Sequence, residues 1–360
     1  MESKIDLSEY LSGGIENIIK NVIKSSVKNP RESSFMVKEM VNAKKLKEKR
    51  DEFQKLGEHI PPFLMASIAT NCNLFCKGCY ARANKACGSN LEERQMTKDK
   101  WKEIFIEAQE LGIAFILLLG GEPLMRMDVI NEAACVNKII FPIFTNGTMI
   151  NDEYVQLFNK NRNLVPMISI EGNRDQTDER RGIGTYNKIM TAMDKLNDKG
   201  ILFGSSITVT TKNIETVLSS EFINKLYGKG ARAILFSEYV PAQKGTEDIA
   251  PSEKERIYLE ERVNTLRKDF EDMVFLSFPG DEKALGGCIS AGRGFFHINA
   301  NGDAEACPFS PYSDSNVRDM TLREILKSPL FKKIRESGKL LEEHNGGCVL
   351  YDVDFSTENV

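Results

Sequence analysis

The chain has no long hydrophobic run, no surplus of one charge and very few histidines. No apolar stretch approaches the ~18–20 residues that span a bilayer, which excludes a membrane-spanning helix. Forty-eight Lys and Arg stand against 52 Asp and Glu, for a net charge of −4. That balance excludes a generally basic nucleic-acid binder, because phosphate contacts demand clustered positive charge. The amino terminus, Met1-Glu2-Ser3-Lys4-Ile5-Asp6, lacks the hydrophobic region of a signal peptide. These absences predict a cytoplasmic protein whose eight cysteines are reduced thiols or metal ligands rather than disulfides. What is present, 360 residues of which 41% are hydrophobic, suffices for one large or two ordinary domains.

Residues 1–60 read as helix. Ile15, Ile18, Ile19, Val22 and Ile23 share one helical face, and a second helical stretch, rich in Lys and Glu, runs from about Phe35 to Leu56. Such a face can rest on a membrane surface, though packing on the protein's own body is the commoner use. Pro61-Pro62 closes the segment. Short apolar runs then alternate with amphipathic stretches: Phe63–Ala69, Ala114–Leu119, Phe141–Phe144, Val165–Ile170, Phe203–Val209 and Ala233–Val240. Helices are predicted near 97–111, 127–137, 152–161, 186–199, 214–228 and 251–270. Six strand–helix units in series imply an α/β protein with parallel strands buried on both faces, either a partly closed barrel or an open doubly wound sheet. After Pro279 the alternation stops, leaving one predicted helix at about 321–337.

The first strand runs into Cys72-Asn73-Leu74-Phe75-Cys76-Lys77-Gly78-Cys79-Tyr80. Three cysteines at this spacing can wrap a loop around one cubane cluster, each taking one iron and leaving the fourth open. Chance would place the pattern in such a chain only about 0.004 times. A zinc site would show paired C-x2-C units or nearby histidines, and the loop has neither. Gly78 suits the tight turn. Cys135, beside Ala133 and Ala134 in a helical stretch, reads as a small core residue, and His59 and His297 as structural.

CNLFCKGCY resembles the C-x3-C-x2-C signature of radical S-adenosylmethionine (SAM) enzymes. Further landmarks of that family follow in order. Gly120-Gly121-Glu122-Pro123 resembles the segment whose backbone meets the SAM amino group, and Thr145-Asn146-Gly147 resembles the family's TNG. Ser169-Ile170-Glu171-Gly172 resembles S-x-D-G with Glu for Asp, and Arg180-Arg181-Gly182-Ile183-Gly184 resembles the RG-x-G turn. The resemblance covers about residues 63–350. It implies a partial (β/α)6 TIM-type barrel over 61–279, with a helical extension over 1–60 and a small auxiliary iron–sulfur domain over 280–360. It implies that Cys72, Cys76 and Cys79 hold a [4Fe-4S] cluster. Tyr80, Gly120, Gly121, Glu122, Asn146, Ser169, Glu171 and Arg181 would serve SAM, Arg181 by facing its carboxylate.

Cys288, the Asn301-Gly302 hairpin signal and Cys307 look like the start of a SPASM or twitch auxiliary-cluster domain, with Cys348 as third ligand of a second [4Fe-4S] cluster. The fourth position is left among Cys87, His344, a substrate atom and an open iron. Cys87 itself reads as ligand, catalytic thiol or ordinary loop residue. The implied activity is reductive cleavage of SAM to a 5′-deoxyadenosyl radical, which takes a hydrogen atom from a peptide, small metabolite, cofactor precursor or lipid. Ferredoxin or flavodoxin would supply the electron. The rival reading is a non-catalytic iron–sulfur electron carrier or scaffold, which would need no SAM site.

Overall fold

The computed structural model describes residues 30–88, 94–342, 348–351 and 353–355. The amphipathic stretch 15–23 and His344 lie outside the described residues. Among those described, no helix is long and apolar enough to cross a membrane.

The apolar runs form strands β1 (Phe63–Ala69), β2 (Phe115–Gly120), β3 (Phe141–Thr145), β4 (Leu164–Ser169), β5 (Gly204–Val209) and β6 (Ala233–Glu238). A seventh, β7 (Val274–Phe278), follows; its five residues lie directly before Pro279, where the alternation was expected to have stopped. Two-residue strands β8 (His297–Ile298) and β9 (Ala304–Glu305) complete one sheet, in the order β7-β6-β5-β4-β3-β2-β1-β8-β9. Neighbours from β7 to β8 are parallel, whereas β8 and β9 are antiparallel across the predicted Asn301-Gly302 hairpin. The result is the partial barrel. Phe295 bridges the gap between its first and last strands, with its ring 5.1 Å from Phe63 of β1 and 6.4 Å from Phe278 of β7.

The helices are α1 (Pro30–Lys55), α2 (Tyr80–Ala83), α3 (Lys98–Leu111), α4 (Met127–Cys135), α5 (Asp152–Lys160), α6 (Arg174–Arg181), α7 (Thr185–Asp198), α8 (Ile214–Val217), α9 (Ser220–Gly228), α10 (Glu253–Asp269), α11 (Leu322–Ile325) and α12 (Pro329–Glu336). Local signals set their ends. Thr97 accepts the Lys100 N–H at 3.2 Å to start α3, and Gly112, at φ 89°, ends it. Trp101, Ile104, Phe105 and Ala108 of α3 are buried at i, i+3, i+4 and i+7, with Phe105 edge-on to Phe141 of β3. Each large side chain so buried contributes about 1.5–3 kcal/mol relative to exposure.

Three expectations need correction. The helix predicted over 214–228 is two helices, because Ser219 caps a fresh start by accepting the Phe222 N–H. The stretch 321–337 likewise divides at Ser328-Pro329, where Ser328 caps α12. Cys135, at the last position of α4, is exposed and not part of the core.

Candidate active site and auxiliary cysteine cavity

Parallel strands bring the loops that follow them to one edge, so the Cys72–Cys79 loop after β1 meets the segments after β2, β3 and β4. Cys72, Cys76 and Cys79 are all half-buried. Gly78 holds φ at +67°, and a Cβ there would collide with the Tyr239 ring. Arg82 ties the loop to itself, donating to the Leu74 carbonyl at 2.8 Å and covering the Phe75 ring. Lys77 N–H donates to the Arg180 carbonyl at 2.9 Å, which joins the loop to the end of α6.

The glycines after β2 let backbone approach backbone. A Cβ on Gly121 would strike the Asn71 carbonyl, and one on Gly120 would lie 2.5 Å from the Ala69 oxygen. Gly121 and Glu122 N–H donate to the Ala69 and Asn71 carbonyls, each at 2.7 Å. The pair therefore seats the cysteine loop. Glu122 is buried and faces inward: Oε1 accepts from Thr145 Oγ1 at 2.6 Å and Leu124 N–H at 3.0 Å, and Oε2 from Asn146 N–H at 2.8 Å. It braces Asn146, whose Nδ2 donates to Asn73 Oδ1 at 2.8 Å and lies 3.9 Å from Cys72 Sγ.

Ser169 ends β4 half-buried, and Glu171 beyond it is 1% exposed. Glu171 Oε1 accepts from Arg181 Nε at 2.8 Å and Nη2 at 2.5 Å, and pairs with Arg180 Nη1 at 2.6 Å. Its Oε2 is buried without a hydrogen-bond partner among the described residues. The segment read as an RG-x-G turn is the last turn of α6 closed by Gly182 at φ 105°. Asn173 and Gln176 form the capping box that starts that helix. Both arginines also act on Cys76, opposing the burial that pushes its thiol up; burial raises Cys72 to about 11.

Cys87 is buried, and its Sγ sits beside Gly121 within electrostatic reach of Cys76 and Cys79. It therefore belongs with the first cysteine set. Cys288, Cys307 and Cys348 line a separate cavity with Glu238, Glu282 and Phe309. The Cys307 thiol is held well above its usual range, chiefly by its hydrogen bond with Cys348 and then by burial, and burial raises Cys288 too. Tyr80 connects the two sets, its ring 4.9 Å from that of Phe309, while Asn84 Nδ2 donates to the Pro308 carbonyl at 3.0 Å. Among the described residues no three His, Cys, Asp or Glu side chains close on a single ion. Thiolates at different corners of a cubane need not do so.

The donor sets fit the expected groups. Three thiols share one loop, Glu171 Oε2 offers a buried acceptor, and three further thiols share one cavity. His297 is part of the core, with Nε2 2.8 Å from Ser67 Oγ and Nδ1 2.7 Å from Glu305 Oε2. His59 contacts the Arg293 carbonyl at 2.6 Å. Sequence reasoning passed over Glu238, inside the apolar run of β6, and Glu282, between Asp281 and Lys283. It also passed over Arg180, although Asn173-x-x-Gln176 signalled the helix that carries it.

Comparison with known proteins agrees with this geometry. The family described as the radical SAM superfamily matches residues 66–219, and an iron–sulfur cluster-binding domain, SPASM, matches 288–348. An AdoMet-dependent heme synthase of Methanosarcina barkeri is 25% identical over 316 residues, covering 80% of this chain and 87% of that protein. The mycofactocin maturase MftC of Mycolicibacterium smegmatis is 24% identical over 305 residues, 79% of this chain and 75% of its own. Among solved structures, Streptococcus suis SuiB bound to precursor peptide SuiA superposes with a TM-score of 0.67 at 19% identity, over 84% of this chain and 75% of SuiB. The non-catalytic electron-carrier alternative finds no support in these comparisons. The chain thus carries a radical SAM domain over residues 66–219 and a SPASM iron–sulfur cluster-binding domain over 288–348.

Proposed function

We propose that the chain takes a hydrogen atom from a carbon of a peptide or small-molecule substrate at the carboxyl edge of its barrel, with Cys72, Cys76 and Cys79 holding the [4Fe-4S] cluster that serves SAM. The observation that carries this reading is the meeting of the cysteine loop with Gly120-Gly121, Asn146 and the Glu171–Arg181 pair at that edge. Bound together, cluster and SAM supply one-electron cleavage of the sulfonium to methionine and a 5′-deoxyadenosyl radical.

The chain's own residues position and shield. Gly120 and Gly121 let the loop close, and Glu122 acts through Asn146 rather than on a ligand. Arg180 and Arg181 lower the electrostatic cost of a thiolate at Cys76. Arg181 orients Glu171 and leaves Oε2 free to accept from a hydroxyl or ammonium of SAM, while Ser169 stands at the neighbouring strand end. Tyr80, packed on Phe309, keeps water out between the two cysteine sets. Cys87, against Gly121, is the candidate catalytic thiol. A low-potential ferredoxin or flavodoxin is the proposed electron donor, and residues 280–360 the proposed auxiliary domain. Relatives named as a mycofactocin maturase and as a heme synthase support a reading in which the substrate belongs to either class.

Anaerobic reconstitution with SAM and a strong reductant should yield 5′-deoxyadenosine, measured by chromatography. Replacing Cys72, Cys76 and Cys79 together with alanine should abolish it. Undiminished product from that triple variant would sink the assignment.

A further inference from the structure

The cavity at the end of β6 holds three thiols, and the chain has no spare cysteine there: Cys87 sits with the first loop and Cys135 on the surface. It holds carboxylates instead. We propose that the Glu282 carboxylate is the fourth protein ligand of the auxiliary cluster, completing Cys288, Cys307 and Cys348. This rests on the reading of those three cysteines as cluster ligands.

The argument is one of placement. Glu282 lies on the short 3-10 helix Gly280–Leu285, six residues before Cys288, and is 2% exposed although it belongs to a residue type almost never fully buried unless paired. The turn is locked to the ligand segment. Gly287 N–H donates to the Glu282 carbonyl at 3.1 Å, and Glu282 Oε1 accepts the Ile289 N–H at 3.1 Å. The side chain is thereby turned back toward Cys288 and walls the same cavity as all three thiols. Cys288 lies within electrostatic reach of both Glu282 and Cys348, and Cys307 within reach of Cys288 and Cys348. These four groups form one mutual neighbourhood. Glu238, on the barrel strand, lines the same cavity and lies within electrostatic reach of Glu282, but it belongs to β6 and not to the turn that is hydrogen-bonded to the Cys288 segment. Burying a carboxylate beside three thiolates would be strongly repulsive, and iron turns that repulsion into coordination. A carboxylate is a harder ligand than a thiolate, so one corner of the cluster differs chemically from the other three.

The test uses the full chain with Cys72, Cys76 and Cys79 replaced by alanine, loaded anaerobically with iron-57 and sulfide, so that only the auxiliary cluster is seen. It should hold about four irons, and Mössbauer spectra should resolve one oxygen-bound iron beside three thiolate-bound ones. Glu282→Gln should abolish the distinct iron and reduce the content to about three. Glu282→Cys should restore about four, now all of thiolate type, which a merely structural role for Glu282 would not produce. Glu238→Gln should change nothing. Four equivalent irons in the parent, or spectra unmoved by both Glu282 substitutions, would overturn the proposal, as would a change confined to the Glu238 variant. A parent that binds no iron would instead overturn the three-cysteine reading beneath it.

Discussion

Removing the Arg181 guanidinium strips Glu171 Oε1 of the hydrogen bonds at 2.8 and 2.5 Å and leaves the ion pair with Arg180 Nη1 at 2.6 Å. Glu171 is 1% exposed, so water cannot replace the lost partner. Breaking a buried pair by deleting one member costs about 3–5 kcal/mol. Arg180 keeps part of the compensation, which brings the expected loss for Arg181→Ala to about 2 kcal/mol. For a chain of 360 residues that corresponds to a fall in Tm of about 2–3 °C. Thermal unfolding of the anaerobic protein, followed by circular dichroism, reads it directly. In a Glu171→Gln background the same substitution should cost much less, because the charge that needed Arg181 is gone; a double-mutant cycle isolates that coupling. SAM affinity should also fall, since Glu171 loses its orientation. If Arg181→Ala weakens SAM binding about ten- to a hundredfold with Tm unmoved and no coupling to Glu171, the arginine faces the SAM carboxylate directly and the bracing argument fails.

Gly121→Ala should displace the cysteine loop, because its Cβ meets the Asn71 carbonyl and no side chain can move aside. Purified anaerobically, that variant should lose the first cluster's iron and keep the auxiliary cluster's; full iron content would contradict the seating role. Glu58 pairs with Arg323 at 2.5 Å and Lys327 at 2.6 Å, and the bond to Arg323, then that to Lys327, lowers its carboxyl to about 2 from 4.5. Its contribution is therefore present above the unfolded value near 4.5 and disappears as pH falls toward 2. The Tm difference between wild type and Glu58→Gln should narrow over that window, and a difference that widened on acidification would reverse the sign of the argument.

Much of the barrel was legible because each parallel strand leaves an apolar run and each outer helix an amphipathic one, as with Phe115–Gly120 and the Trp101–Ala108 face. The strand Val274–Phe278 was missed although four of its five residues are apolar, because no amphipathic helix follows it to complete a strand–helix unit. Helix Arg174–Arg181 was missed because it is almost wholly polar, held by caps and ion pairs rather than by an apolar stripe. Cysteine spacing picked out the two groups of thiols that the fold gathers in separate places. That Glu122 supports Asn146, and that Glu171 occupies Arg181, were beyond sequence reasoning, since both depend on contacts between loops from different strands. Glu282 was invisible for the same reason: only the fold shows that an acidic turn is folded inward.

The pairing of β8 with β1 gives the C-terminal region a part in the chain's own synthesis. β1 is made early, yet one of its two flanks is filled only when His297 and Ile298 arrive more than two hundred residues later. Until then a ribosome-bound barrel carries an open, apolar strand edge, the kind of surface that pairs with other nascent chains. The ring of Phe295 reaches Phe63 and Phe278 only in the same late step. Fragments that stop before about residue 295 should thus accumulate as aggregates rather than as free-standing barrels, and chaperone demand during translation should end when the terminal hairpin closes.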